Sequence, residues 1–430
     1  MENEYQKMMQ EKPVTVVTVN FNGKKYLPAL FDSLKSQTYR SLKVVMVDNG
    51  SNDGSADFVR REYPWVTVVR NARNVGFAEG NNIGLRHCMG EFVVLVNNDM
   101  VVDRDWLSNL VSTAVAKGAD VVGPKILFYK PFLSFRFETS TFDPGNGDTR
   151  RLGVRLVTDM RFESSGYDKI LFGDNVYGEE TASDGKYRWI SDGGIVRIPY
   201  DPKSGVHKLI FRVAAPEGKD VHALRLFLGD GTSVFDSNIT DTFQEYEVRI
   251  SEADVRRNGR FVVNNASSEY SETTGYGRDV GMGEDDCGQY DDPNFVQALC
   301  GGCMLIRTEI LGDAGVFDRY FFAYYEDTDF CWRMNTAARK LYYEPKSIVY
   351  HVHTGTSKEW SPFFYYHTDR NRLAMLLKNG AWAVVARETR GHIRLIFEVR
   401  RYGIRLSMMR VAVLIDLLVH APYLLGKRYF

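Results

Sequence analysis

Carboxylates are concentrated in one aromatic-rich stretch around residue 325, which reads FFAYYEDTDFCWR. It contains Glu326, Asp327 and Asp329, and Asp318 lies a little upstream. Aromatic neighbours favour a core or a pocket wall, where a carboxylate has a raised pKa and can act as a general base. Asp and Glu also favour the first turn of a helix, where they face its dipole. Taken alone, the stretch fits a catalytic base and a helix start equally well.

A second set of polar residues follows apolar runs in the N-terminal third. Asn20 ends VTVVTVN, Asp48 ends LKVVMVD, and Asp99 follows EFVVLVNN. Such β-branched runs are typical of buried parallel strands, and helical patterns lie between them. The resulting β-α-β-α-β-α-β order predicts a doubly wound, mostly parallel α/β sheet, which binds ligands at the carboxyl ends of its strands. We therefore expect these three side chains to line one ligand site.

The chemistry of these strand ends suits a nucleoside diphosphate. A carboxylate after a strand can accept hydrogen bonds from a base N–H or from ribose hydroxyls, and loops rich in Gly and Asn offer donors to a diphosphate. An acid at a buried strand end can also hold Mg²⁺ or Mn²⁺. For Asp48 the alternative is a turn or helix cap. The chain has no GxGxxG fingerprint and no P-loop, which argues against the usual Rossmann and kinase interpretations.

Several segments, taken in chain order, match one known family. VTVVTVNFNG, VVMVDNGSNDGS, RNVGFAEGNNIGL, VLVNNDM, CGGCMLIRTEIL and GVFDRYFFAYYEDTDFCWRM resemble the inverting glycosyltransferase family 2, including its rhamnosyltransferase-like polysaccharide enzymes. The resemblance covers about 1–130 and 285–380. It implies a GT-A fold and transfer of a sugar from a dTDP- or UDP-linked donor to a glycan or lipid-linked glycan acceptor in polysaccharide synthesis.

The resemblance also implies roles for individual residues. The second acid of the family's ED motif is the inferred base, which corresponds to Asp327, with Glu326 beside it. Asp99 occupies the DxD-type position, and a histidine after the strand in YEPKSIVYHVH completes a site for manganese or magnesium. His351 follows the strand directly and is favoured over His353, although both stay candidates, and a histidine satisfied in a pocket wall is the alternative.

The triplet Asn97-Asn98-Asp99 departs from the family pattern, because only its last residue is acidic. We therefore expect weaker metal affinity, with more of the charge supplied by the donor diphosphate. The expected donor-binding residues are Asn20, Asp48, Asn49, Asn74, Gly76, Asn82 and Asn98. The expected acceptor-binding residues are Gly301, Gly302, Trp332 and Arg370.

About 150 residues separate the two halves of the resemblance. Short alternating runs such as HKLIFRVAA and HALRLFLG recur there between Gly, Asp, Pro and Ser turns, a spacing typical of a sandwich. We predict an inserted antiparallel β-sandwich at 131–284, between GT-A halves at 1–130 and 285–380. Tyr177, Trp189 or Tyr270 could stack on sugar rings. The alternative is a spacer or a dimer contact, since aromatic residues of sandwiches more often belong to the core.

Residues 381–430 form a basic tail, with nine Lys and Arg against three Asp and Glu, whereas the whole chain has a net charge of −1. Basic and apolar residues recur together, which is typical of amphipathic helices that lie on an anionic membrane surface. VAVLIDLLV is interrupted by Asp416 and followed by Pro422, so we expect no membrane-spanning helix. The alternative is that the tail packs on the catalytic domain or on a second subunit in a homo-oligomer.

The composition and the first residues of the chain indicate its cellular compartment and the partners to expect. The polar start MENEYQKMMQEK argues against a signal peptide, and the near-neutral charge argues against a nucleic-acid partner. Five cysteines without framework spacing favour a reducing compartment, so we expect a cytoplasmic enzyme, peripheral on the inner face of the plasma membrane. Two other classes stay open: a non-catalytic glycan-binding scaffold with a decayed transferase domain, and a nucleotidyltransferase, for which VNFNGKK is a poor version of the expected basic loop.

Overall fold

The computed structural model describes residues 12–145, 147–163, 169–182, 185–205, 207–218, 221–312, 316–352 and 361–428. These residues divide into two compact units. The first unit comprises Met1–Leu127, Asn264–Met282 and Gly288–Phe430, and the second comprises Phe128–Val263 and Gly283–Cys287. His353, a predicted metal ligand, lies outside the described residues.

The N-terminal part of the first unit alternates strands and helices. The elements are β1 Val14–Asn20, α1 Leu27–Lys35, β2 Leu42–Asp48, α2 Ser55–Glu62, β3 Val66–Arg70, α3 Phe77–Leu85, β4 Phe92–Val96, β5 Met100–Val102, α4 Trp106–Lys117 and β6 Val121–Phe128. Strand β1 pairs in parallel with β2 and β4, and β2 pairs in parallel with β3. The order of elements agrees with the sequence prediction.

The two faces of this sheet are both covered. Val16 of β1 lies in a hydrophobic cluster with Leu30 and Phe31 of α1, whereas its neighbour Val17 lies in a second cluster with Phe317 and Leu376. Successive side chains of a strand point to opposite faces, so a strand buried on both faces requires a continuous apolar run. The runs in β1, β2 and β4 satisfy that requirement.

The second unit contains strands and one short helix. They are β7 Phe132–Thr139, β8 Val154–Val157, β9 Arg161–Phe162, β10 Leu171–Phe172, β11 Val176–Ala182, β12 Gly185–Ile190, β13 Ile195–Pro199, β14 Lys208–Ala214, β15 His222–Phe227, β16 Ser233–Ile239, β17 Gln244–Arg249 and α5 Glu252–Asn258. The strands form two antiparallel sheets, ordered β10-β13-β7-β15-β16 and β11-β12-β8-β14-β17. Phe135 of one sheet and Phe211 of the other belong to the same buried cluster.

The chain then returns to the first unit. The remaining elements are β18 Val263–Asn265, β19 Ser268–Tyr270, β20 Gly277–Asp279, β21 Asn294–Phe295, β22 Cys303–Arg307, α6 Glu326–Thr336, β23 Leu341–His351, α7 Pro362–Asn379, α8 Trp382–Phe397, α9 Val399–Tyr402 and α10 Ile404–Gly426, with 3₁₀ turns at Thr308–Ile310 and Arg319–Phe321. The main sheet is ordered β21-β23-β6-β22-β4-β1-β2-β3. Strand β22 pairs antiparallel with β4 and β6, and β23 pairs antiparallel with β5 and β21. The α/β sheet is therefore mixed, rather than mostly parallel as predicted.

The segment Asn264–Met282 corrects the predicted boundary of the insertion at residue 284. Ser268 and Ala298 of the first unit exchange backbone hydrogen bonds of 2.9 and 3.0 Å. Tyr270 stacks on Trp332 of α6 with ring centroids 4.8 Å apart. These contacts join the segment to the α/β unit, so Tyr270 is a core residue and does not belong to the second unit. Within the second unit, Trp189 is also buried, between Phe142 and Tyr187.

Helix α10 corrects the prediction for the C-terminal tail. Pro422 lies inside this single 23-residue helix and does not end it. By length and composition alone, α10 is the one helix in the described part of the chain that could cross a membrane, so the expectation that Asp416 and Pro422 leave no helix of spanning length was wrong. Val413 and Leu424 are buried against the first unit, whereas Leu418 and Val419 are 75% and 68% exposed.

Candidate active site

The buried side chain of Asn20, at the end of β1, contacts residues at the carboxyl ends of β2 and β4. Its Nδ2 donates to Ser55 Oγ at 2.8 Å and lies 3.4 Å from Asp48 Oδ1, and its Oδ1 accepts from Asn98 Nδ2 at 2.8 Å. Asp48 Oδ2 is buried with no hydrogen-bond partner among the described residues, although Arg70 Nε lies 3.7 Å away. A buried carboxylate oxygen without a donor is costly, so this atom is suited to accept a hydrogen bond from a ligand.

Asn49 shapes the loop before α3. Its Nδ2 donates to Asn74 Oδ1 at 2.9 Å and to the carbonyl of Gly76 at 3.0 Å. Gly76 has φ +90°, and a Cβ at this position would lie 2.6 Å from the ring of Phe322. The same close approach lets the Phe322 carbonyl accept from the Phe77 amide at 2.6 Å at the first turn of α3. Only glycine combines this backbone conformation with this approach.

Asn82 does not face the strand ends. Its Nδ2 donates to the carbonyl of Phe317 at 2.7 Å, and its Oδ1 accepts from the amide of Phe317 at 3.2 Å. Both polar atoms of the side chain are therefore used in holding α3 to the segment before α6. We correct its predicted role from donor binding to positioning of that segment.

Asp99 and His351 come together at one end of β4 and β23. His351 Nε2 lies 3.3 Å from Asp99 Oδ1, and His351 Nδ1 lies 3.0 Å from Asn264 Oδ1. In the tautomer whose Nδ1–H donates to Asn264, the lone pair of Nε2 faces the carboxylate, an arrangement that a proton or a cation would satisfy. Among the described residues no group of three or more His, Cys, Asp or Glu has the arrangement of a metal site.

The two acids that begin α6 have different surroundings. Asp327 is half-buried, and its Oδ2 accepts from the Gly301 amide at 2.8 Å while its Oδ1 accepts from the Thr328 amide at 2.7 Å. Desolvation nonetheless raises the pKa of Asp327. Glu326 is buried, and its Oε2 has no hydrogen-bond partner among the described residues. Desolvation and the charge of Asp327 raise the pKa of Glu326 well above its usual range.

Gly301 explains how Asp327 is held. A Cβ on Gly301 would lie 2.8 Å from Asp327 Cβ, so a side chain here would displace the carboxylate. Gly302 lies next to it, and its carbonyl accepts from the amide of Asn97 at 2.8 Å. Both glycines therefore form a backbone wall between the α6 acids and the end of β4.

The other two predicted acceptor residues are buried. Trp332 is 6% exposed and stacks on Tyr270, so we correct its assignment from acceptor contact to core packing. Arg370 is 8% exposed, and its guanidinium donates to the carbonyl of Tyr320 at 2.6 Å and to Asn371 Oδ1 at 2.9 Å.

Asp279 is a site residue that sequence reasoning missed. Its Oδ1 accepts from Asn265 Nδ2 at 2.7 Å and from Ser268 Oγ at 3.0 Å. Although the residue is exposed, the protein atoms around its carboxylate raise its pKa, and the charge of Asp327 raises it further, while His351 lowers it. The charges of Asp327 and His351 therefore both act on the carboxylate of Asp279. The signal available in the sequence was GYGRDVG, a turn-rich stretch that sequence analysis assigned to the insertion.

Comparisons with known proteins agree with this architecture. Residues 15–172 match the family described as glycosyl transferase family 2. The glycosyltransferases GlyA and GlyG of Streptococcus pneumoniae are 28% and 30% identical over 116 and 112 residues, which cover 26% and 25% of this chain and 17% and 37% of theirs. The cholesterol galactosyltransferase of Borreliella burgdorferi is 26% identical over 134 residues, 30% of this chain and 37% of that protein. The aligned region thus spans well under half the length of these relatives.

Among solved structures, the crystal structure of S. aureus TarS 1-349 in complex with UDP is 25% identical, covering 26% of this chain and 35% of that chain with a TM-score of 0.26. The N-terminal α/β region of the chain is therefore similar to glycosyltransferase family 2, as the sequence motifs implied. The family match ends at residue 172, so the roles of the α6 acids rest on their geometry.

Proposed function

We propose that the protein is an inverting, metal-dependent glycosyltransferase that moves a sugar from a nucleoside diphosphate to a hydroxyl of a glycan or lipid-linked acceptor. The observation that carries the proposal is the Asp99–His351 pair, 3.3 Å apart, whose imidazole acts together with Asp327 on the Asp279 carboxylate in a chain that matches family 2 over residues 15–172. A carboxylate with a raised pKa beside a pair of candidate cation ligands suits a transfer that needs a base and creates a diphosphate leaving group.

The strand ends supply the donor site in this proposal. The unpartnered Oδ2 of Asp48 accepts a hydrogen bond from the base or the ribose, and Asn20 keeps that carboxylate in place. Asn49 and Gly76 hold the loop that borders the nucleotide. Asn98, tied to Asn20, orients the chain that leads to Asp99. The choice between a UDP- and a dTDP-linked sugar depends on the shape of this pocket.

The donor set at Asp99 and His351 fits a divalent cation. One carboxylate oxygen and one imidazole nitrogen suit Mn²⁺ or Mg²⁺, and oxygens of the donor diphosphate would complete the coordination. When bound, such an ion would neutralise charge on the departing diphosphate. Asn264 holds the imidazole through Nδ1 and so keeps Nε2 directed at Asp99.

Asp327 is the base in the proposed reaction. The acceptor hydroxyl gives its proton to the Asp327 carboxylate while its oxygen forms a bond to the anomeric carbon. The bond between that carbon and the diphosphate oxygen breaks, and the diphosphate leaves with the electron pair on the opposite face, so that the configuration inverts. Gly301 fixes one oxygen of Asp327 and Thr328 fixes the other, which positions the base before substrate binds.

Two further features belong to the proposal. The two antiparallel sheets of the second unit form a β-sandwich module that binds or spaces the glycan acceptor. The basic amphipathic tail places the enzyme at an anionic membrane, on the cytoplasmic side, with the exposed apolar side chains of α10 toward the lipid.

A donor screen tests the proposed function. Purified protein is titrated calorimetrically with UDP, dTDP and the matching triphosphates, with and without Mn²⁺, and hydrolysis of UDP- and dTDP-sugars is then measured. A glycosyltransferase should bind diphosphates more tightly with the metal present and hydrolyse at least one donor slowly. Preference for triphosphates would support the nucleotidyltransferase alternative, and no nucleotide binding would support the scaffold.

A further inference from the structure

A cavity of about 650 Å³ opens in the first unit beside the loop that precedes α3. Four separate parts of the unit contribute to its wall: that loop, the turn before α6, helix α7 and helix α10. The residues that matter for its chemistry are Arg73, Arg319, Arg370, His367, His420 and Tyr423. Neither Asp48 nor Asp327 lines it.

The cavity wall is rich in positive charge, and Asp416, a carboxylate whose charge acts on His367 of the wall, is bonded to the Tyr320 hydroxyl at 2.5 Å and is not paired with an arginine of the wall. Within the described part of the chain, no carboxylate lies within 4.0 Å of the guanidinium groups of Arg73, Arg319 or Arg370. Glu79, the one acid of the wall, faces Arg86 at 3.3 Å. Arg370 is buried and its hydrogen bonds go to neutral groups, the Tyr320 carbonyl and the Asn371 side chain, so an anionic ligand would supply the counter-charge that it lacks.

His367 gives independent support for a ligand. The residue is 9% exposed, and its Nδ1 is buried with no hydrogen-bond partner among the described residues. Desolvation and the charge of Arg370 lower the pKa of His367 to about 4, so its ring is neutral at pH 7 and carries one N–H. A neutral imidazole beside arginines that have no carboxylate partner can donate a hydrogen bond to an anionic oxygen.

The apolar face of α10 indicates what carries the anion. His420 and Tyr423 of this helix line the cavity, while Ile415, Leu418 and Val419 of the same helix are more than half exposed. These three side chains do not line the cavity, but a hydrocarbon chain that leaves it along α10 would meet them and remove their apolar surface from water. The loop with Arg73 and Asn74 connects this wall to the donor site, because Asn49 holds Asn74.

We propose that this cavity binds the phosphate or diphosphate group of a lipid-linked acceptor, through Arg73, Arg319, Arg370 and His367. The identification of this cavity as an acceptor site rests on the proposed function. The binding of the anion itself can be measured without any sugar transfer. The cavity is large enough to admit such a group together with part of the attached ligand, and the arginine forks match phosphate oxygens.

The test uses the full chain and vesicles without donor. Co-flotation is measured with phosphatidylcholine vesicles that contain farnesyl diphosphate, and with phosphatidylcholine vesicles alone. Arg73→Gln and Arg319→Gln each change an exposed residue, and each should weaken binding to the farnesyl diphosphate vesicles about tenfold, the scale of one charge-assisted hydrogen bond. Arg60→Gln, an exposed residue of α2, is the matched control and should bind like the wild type.

Three results would overturn the proposal. The first is equal binding of the two arginine variants and the control to the farnesyl diphosphate vesicles. The second is a parallel loss of UDP affinity in Arg319→Gln, which would assign the cavity to the donor. The third is an affinity for inorganic diphosphate, measured by competition, that equals the affinity for the farnesyl diphosphate vesicles. This result would retain the anion site but exclude a contribution of the lipid chain to binding. If vesicle binding depends on the arginines but no donor is ever hydrolysed, the proposed transferase function fails while the anion site stands.

Discussion

At the scale of single residues, four neighbouring carboxylates have two different roles. Asp318 and Asp329 both bond Lys378 Nζ at 2.9 Å, and these interactions lower the pKa of each acid despite burial. Asp327 and Glu326 have no cation partner among the described residues, and desolvation raises the pKa of each. The pKa values of these four acids therefore shift in opposite directions. Asp318 and Asp329 have a structural role, whereas Glu326 and Asp327 are candidates for a catalytic role.

We expect Asp327→Asn to lower the rate of sugar transfer by about 10²–10⁴-fold, because an amide cannot accept the proton of the acceptor hydroxyl. The UDP affinity should stay within about twofold of wild type, since Asp327 does not contact the strand ends that hold the nucleotide. Steady-state kinetics and calorimetry measure the two quantities. The control is Asp292→Asn at an exposed position. Transfer by Asp327→Asn at the wild-type rate would remove this residue as the base.

We expect Asp279→Asn to move the acidic limb of the pH profile of kcat/KM to lower pH, by less than about one unit. Asp279 and Asp327 repel each other when both are ionised, and this repulsion disfavours the charged form of each. Removing the charge at 279 therefore lowers the pKa of Asp327, and the base form persists to lower pH. Asp292→Asn should leave the limb in place. A shift to higher pH would contradict the arrangement.

At the scale of elements, Lys378 joins the parts that surround the acids. The residue is buried near the end of α7 and bonds Asp318, before the turn that leads to α6, and Asp329 within α6. Tyr423 of α10 donates to the second oxygen of Asp318 at 2.7 Å. One buried ionic cluster thus connects α6, α7 and α10, and so holds the segment from which Glu326 and Asp327 project.

We expect Lys378→Met to lower the free energy of unfolding by about 3–5 kcal/mol, because it removes the one buried cation that Asp318 and Asp329 share and leaves each with only a partly exposed partner, Lys427 or Arg333. Lys427→Met is the matched control: Lys427 lies 3.8 Å from Asp318 but is partly exposed, so its loss should change stability by less than about 1 kcal/mol. Urea denaturation followed by circular dichroism measures both. Equal, small effects of the two substitutions would show that the cluster does not hold the helices.

At the scale of the whole molecule, the chain leaves the first unit after Leu127 and returns at Asn264, and the ends of the intervening segment are adjacent. The amide of Phe128 donates to the carbonyl of Val262 at 2.9 Å. A segment with adjacent ends can be replaced by a short bridge with little effect on the host. The residues that follow the return point, Asn264 and Asp279, belong to the candidate site.

We expect replacement of residues 131–260 by a short Gly/Ser bridge to leave a folded first unit that binds UDP and hydrolyses donor slowly. A longer deletion, of 135–280, should lose donor hydrolysis although it removes few additional residues, because it also removes Asn264 and Asp279 from beside His351 and Asp327. Circular dichroism and donor hydrolysis compare the two proteins. Equal hydrolysis by both would show that these two residues are dispensable.

Local sequence patterns were sufficient to predict the strands and helices of the α/β region and some of the residues of the site. Continuous β-branched runs require strands buried on both faces, and parallel strands bring Asn20, Asp48 and Asp99 to one edge. The pairing of Asp99 with His351 followed from the family resemblance, and the structure brings these two side chains to 3.3 Å. These features depend on patterns within short segments, which can be recognised without the tertiary structure.

Only the tertiary structure determines which of the neighbouring acids are paired with a cation, because the cation comes from a distant segment. Asp329 and Asp327 are two positions apart, yet only Asp329 reaches Lys378, 49 residues further on. Asp279 and Asn264 belong to the site although their segment was predicted to be part of the insertion, and Pro422 lies inside α10 rather than at its end. The charge state and exposure of a side chain depend on neighbours that folding brings from far along the chain, and local periodicity carries no information about them.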